Sequence, residues 1–198
     1  MKTFVIPSTV EDEKSAEREI RDFVRKWVGL LADQKYAEAL AALSPDIPSG
    51  SGSVDSRRAA QWTPELLGTV IANYGTPEPV EGQLQRYSVV PLDASLSDPF
   101  EANVFIDFDR EAISNLDVAL TPSQDTRSQR SWLSSTLSLL RKGPDVAKRR
   151  KNWIGSAEFA LPLNLERGND LSDLSVRMRF KPLTKAEMVL VLLDIHVL

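Results

Sequence analysis

The closing segment of the chain, Met188 to Leu198, reads M-V-L-V-L-L-D-I-H-V-L and has the apolar density of a buried strand. Strict alternation puts Val189, Val191, Leu193, Ile195 and Val197 on one face and Leu190, Leu192, Asp194 and His196 on the other. Two earlier stretches alternate in the same way. Leu174, Val176, Met178 and Phe180 interleave with Ser175, Arg177 and Arg179, and Ala102, Val104, Ile106 and Phe108 interleave with Asn103, Phe105, Asp107 and Asp109. Trp153 to Leu163 and Leu84 to Leu92 read as further strands, and Leu116, Val118 and Leu120 as a short one.

The amino-terminal third follows the helical period instead. Ser8 and Thr9 are capping residues, and Glu11, Asp12 and Glu13 place negative charge at the positive end of a helix dipole. Ala16, Ile20, Phe23, Val24, Trp27, Leu30 and Leu31 then form one apolar stripe. Asp33 is expected to cap a second helix carrying Tyr36, Ala39, Leu40 and Leu43, ended by Pro45 and Pro48. Thr63, Pro64 and Glu65 open a third, with Leu67, Val70, Ile71 and Tyr74 buried and Gly75 as its stop. Residues 44–58 are rich in Ser, Gly and Pro and predict a flexible loop; the spacing is not that of a phosphate loop. Residues 123–151 read as an insertion between strands. Helices first and strands afterwards predict an α+β fold, with N-terminal helices packed on a curved, mostly antiparallel sheet in one domain over residues 1–198.

The start of the second helix, Asp33, Lys35, Tyr36, Ala37, following a long first helix and followed by W-T-P-E-L-L-G-T-V-I-A-N-Y-G and a strand meander, resembles the nuclear-transport-factor-2-like superfamily. That resemblance implies a bent sheet with the first helix in its hollow. The superfamily includes enzymes, small-ligand binders and interaction modules, so the resemblance fixes no activity. The insertion at 123–151 departs from the superfamily's compact pattern. The endings S-D-L-S-V-R-M-R-F and V-L-L-D-I-H-V-L also resemble the tail of small uncharacterised bacterial domains.

Composition narrows the chemistry. The 198 residues include no cysteine and one histidine, which excludes disulfides, thiolate nucleophiles, zinc–thiolate sites, iron–sulfur clusters and any histidine-rich metal site. No cofactor is expected. A net charge of −4 disfavours nucleic acid as the main partner and suits a cationic protein. No stretch reaches the length of a membrane span, and the expectation is a cytoplasmic protein.

Four groups of residues are candidates for function. Asp194 and His196 form the one acid–base pair, with His196 as a general base if the protein is an enzyme; about 6.6 Å of Cα rise separates them, so a partner on a neighbouring strand is expected to complete the pair. Asp93, Glu101, Asp107 and Asp109 suggest an acidic edge for a protein partner. Trp27, Tyr74, Tyr87 and Trp153 could line an apolar pocket beneath a bent sheet. Arg141, Lys142, Lys148, Arg149, Arg150 and Lys151, flanked by Trp132 and Trp153, form a basic run suited to nucleic acid. No serine-hydrolase context, dinucleotide fingerprint or metal cluster is present, so the leading expectation is a non-catalytic protein-binding domain. Its most concrete form is an immunity protein that neutralises a cationic toxin. The alternative is a ligand-binding or catalytic bent-sheet domain whose pocket contains Asp194 and His196.

Overall fold

The computed structural model describes residues 1–45, 62–78, 86–92, 99–116, 153–165 and 168–197. Helix α1 (Val10–Ala32) starts where the sequence places it. The Thr9 side chain accepts from the Asp12 N–H at 3.1 Å, and the Asp12 carboxylate accepts from the Thr9 N–H at 3.0 Å, closing a capping box. Hydrogen bonds from the hydroxyls of Ser8 and Thr9 hold the Asp12 carboxyl below its ordinary range.

Asp33 closes α1 and does not open the second helix. Gln34 turns left-handed at φ 59, and the N–H groups of Gln34 and Lys35 return to the carbonyls of Leu31 and Leu30. Helix α2 (Tyr36–Ala42) therefore begins at Lys35, with no side-chain cap. Helix α3 (Pro64–Ala72) has the predicted Thr63 cap and proline at its first position. It ends in the same doubly bonded turn, with Tyr74 in the left-handed conformation at φ 54.

A strand precedes the helices: β1 (Thr3–Val5). The others are β2 (Val104–Phe108), introduced by a 3-10 turn at Phe100–Asn103, then β3 (Gly155–Leu165), β4 (Gly168–Pro182) and β5 (Glu187–Val197); the short helix α4 (Arg110–Ser114) follows β2. They form a curled antiparallel sheet in the order β1-β5-β4-β3-β2. The predicted strand across 84–92 is represented among the described residues by one bridge, Val89 to Leu163, which pairs with β3 on the same side as β2 but past the end of β2. Pro162 sits where the β3–β4 register shifts, a position that tolerates a residue without an N–H. There the Ser172 hydroxyl donates to the Leu161 carbonyl at 2.8 Å and accepts from the Leu174 N–H.

The core lies between the helices and one face of the sheet. Ile20, Phe23, Val24, Trp27, Val28 and Leu31 of α1 meet Phe159, Leu161, Leu174, Val176, Met178, Phe180, Leu190 and Leu192. Trp27 is 1 % exposed, donates its indole N–H to the Ala39 carbonyl at 2.9 Å, and meets Phe159 edge-on at 6.1 Å.

Strict alternation fails once along β5. Arg177 pairs with Asp194 but Met178 pairs with Leu192, so Leu193 is an extra residue in a bulge. Met188, Leu190, Leu192 and Ile195 all face the core, whereas Asp194 and His196 face away from it. The expectation that Leu190 and Leu192 share a face with Asp194 and His196 is thereby corrected, because the inserted residue reverses the parity.

Candidate functional site

The outer face of the sheet, opposite the helices, carries the chemistry. Register aligns Phe105, Glu158, Arg177 and Asp194 in one row across four strands, and Ser175 with His196 beside it. His196 Nδ1 lies 2.9 Å from Asp194 Oδ1. The pair forms directly, because two same-face side chains on one strand can lean together across the gap between their Cα atoms; no partner on a neighbouring strand is needed. Arg177 Nε donates to Glu158 Oε2 at 3.2 Å, its Nη2 lies 3.4 Å from His196 Nε2, and Glu158 Oε1 lies 3.7 Å from the same nitrogen. A carboxylate can only accept and a guanidinium can only donate. Nδ1 therefore faces an acceptor, and Nε2 lies between a donor, Arg177, and an acceptor, Glu158.

Both ring nitrogens are thus engaged within the row. Ser175 stands opposite His196 in register, but no hydrogen bond joins them: the ring leans toward Arg177 and Glu158. With Ser175 also buried, these residues do not compose a nucleophile, base and orienting acid. The side chains of Asp194 and His196 are 25 % and 28 % exposed on the sheet's outer side, not enclosed in an apolar cavity.

Three of the four predicted acids lie among the described residues. Glu101 is ion-paired with Arg25, and Asp109 caps α4 by accepting from the Ala112 N–H at 2.8 Å. Asp107 is exposed on the outer face, and its carboxylate has no hydrogen bond or ion pair among the described residues. Asp93 lies outside the described residues, as do the basic run from Arg141 to Lys151 and Trp132. Among the described residues no group of three or more His, Asp or Glu side chains could hold a metal ion.

The predicted aromatic pocket is dispersed as well. Trp27 closes the core, and Trp153 is half-buried just before β3. Tyr74 and Tyr87 form a tilted pair at 4.7 Å, and the Tyr74 hydroxyl donates to the Asp173 carboxylate. Burial, and then that hydrogen bond, push the Tyr74 hydroxyl up to about 12. A folded-state value above the ordinary tyrosine value favours the folded state below pH 10, and the advantage is lost as pH rises toward 12. The gap in stability between wild type and Tyr74→Phe should therefore narrow across that window in melts at successive pH values. Phenolate absorbance should show the latest tyrosine titration of the wild type missing in the variant.

A cavity of about 190 Å³ opens elsewhere, between α1 and the start of β2. Arg18, Arg21, Asp22, Arg25, Phe100, Glu101 and Val104 line it. Arg21 Nη1 donates to the carbonyls of Glu101 and Val104 at 2.9 and 2.6 Å, tying the helix to the strand. Neither this arginine row nor Glu158 and Arg177 stood out in the sequence. Their side chains meet only through the sheet register and the approach of α1 to β2. Phe105 had a legible signal, an aromatic residue at an outward parity of β2, and it is 68 % exposed.

No protein-family model, curated protein or solved structure matches this chain.

Proposed function

We propose that this chain is a non-catalytic protein-binding domain that docks its partner on the outer sheet face beside β2. Phe105 carries the proposal. It stands 68 % exposed between the unpaired Asp107 and the Glu158–Arg177–His196–Asp194 network. Aromatic anchors surrounded by polar groups supply most of the energy in protein interfaces. The polar network makes its contacts within the chain, so it offers a pre-formed rim. The narrower form of the proposal is an immunity protein that neutralises a toxin. Weighing against the pocket-bearing alternative is the position of Asp194 and His196 on the side of the sheet away from the helices.

Phe105→Glu tests the docking surface. The side chain makes no core contact, so melting should change little, while retention of a partner by the tagged full-length chain in its native cells should fall at least tenfold. A wild-type chain that retains no protein, or a variant that retains the same protein equally well, refutes the proposal.

A further inference from the structure

We propose that the open edge of β2 receives an extended peptide segment of the partner as an added strand, with acidic side chains of that segment held by Arg18 and the arginine row of α1. This rests on the docking proposal above and specifies the partner's chemistry.

Backbone direction comes first. Phe105 and Asp107 pair with Glu158 and Ser156, and the Asp109 N–H donates to the Ile154 carbonyl, so odd-numbered residues of β2 direct their backbone groups toward β3. In an antiparallel ladder the alternate residues then point the other way. Val104 agrees, since its carbonyl is turned outward to Arg21. The N–H and C=O groups of Ile106 and Phe108 consequently face the open side, and no described residue bonds them. Four outward groups on an edge strand are a template for strand addition.

Charge then selects the occupant. The cleft at the start of β2 holds three arginines against Asp22 and Glu101. Arg25 is neutralised by Glu101, and Arg21 is committed to two carbonyls but keeps its charge. Arg18 is exposed, and its guanidinium has no hydrogen bond or ion pair among the described residues. Its planar fork suits a carboxylate. A strand added beside β2 would alternate its side chains between the α1 side and the Phe105 side. The fitting segment therefore carries acids at one parity and apolar residues at the other. The partner's charge at this edge is thus opposite to that expected from Asp93, Glu101, Asp107 and Asp109.

The test uses the full-length chain and two labelled eight-residue peptides, one alternating glutamate with valine and one alternating lysine with valine. The glutamate peptide should give saturable binding by fluorescence anisotropy and slow amide exchange at Ile106 and Phe108 at least tenfold. Arg18→Glu should weaken that binding at least tenfold without altering the melting curve. Equal binding of both peptides, no saturation, or unprotected amides at these two residues overturns strand addition. If the peptide fails while partner retention still depends on Phe105, strand addition is refuted and the docking proposal stands. If the peptide protects the edge while partner retention ignores Phe105, the edge site stands and the docking proposal falls.

Discussion

Gly155→Ala should unfold or nearly unfold the protein, while Gly29→Ala should stabilise it. The two substitutions add the same methyl group. At Gly155 a Cβ would lie 2.3 Å from the Asp107 carbonyl oxygen and 2.7 Å from Phe180 Cδ2. Neither neighbour has room to retreat. The carbonyl belongs to β2, whose register holds Phe108 opposite Gly155, and the Phe180 ring is packed against Phe108 at 5.3 Å. Relief requires β2 to part from β3, so the cost should reach or exceed the roughly 3 kcal/mol at the upper end of ordinary overpacking. At Gly29, inside α1, nothing lies within 4 Å of the added atom, and the helix should gain up to about 1 kcal/mol from the better propensity of alanine. Urea unfolding of the two variants decides the matter. Equal and small shifts would mean that β2 does not lie against β3 as described.

Trp27→Ala should cost about 3–5 kcal/mol, the range for removing a large aromatic from a closed core. Three losses act together: the cavity left between α1 and the sheet, the edge-on contact with Phe159, and the hydrogen bond to the Ala39 carbonyl. Trp27→Phe separates them by retaining a ring while removing the indole N–H. The buried Ala39 carbonyl then loses its indole donor, at a cost of about 1–3 kcal/mol. Denaturant midpoints should fall in the order wild type, phenylalanine, alanine. A phenylalanine variant as stable as wild type would show that the indole bond between α1 and α2 contributes nothing.

Much of this fold could be read from period and capping alone. The α1 stripe from Ala16 to Leu31, the Thr9 and Thr63 caps and the alternation of Leu174 to Phe180 are local signals, and local signals survive folding. Legibility stopped where position depends on contacts distant in sequence. Asp33 carries a cap residue's chemistry, but the chain uses the left-handed Gln34 to reverse direction, leaving that carboxylate to pair with Lys35. Glu101 and Asp109 looked like free acids because neither Arg25 nor the first turn of α4 can be assigned to them before the chain is folded. The Asp194–His196 pair was visible in the sequence, but its surroundings were not: Glu158 and Arg177 reach it only through the register of three strands.

The extra residue at Leu193 has a consequence for the fidelity of assembly. The run from Met188 to Leu193 is so uniformly aliphatic that sliding it two places along β4 would exchange like for like and still turn an aliphatic side chain to the core at each inward position. Such a ribbon has no intrinsic zero point. The bulge supplies one, as a notch does on a ruler, because its kink can sit in only one place relative to Arg177 and Met178. Any slipped alignment would have to carry the notch into regular ladder and strand Asp194 away from its row, so a degenerate stretch acquires a single setting.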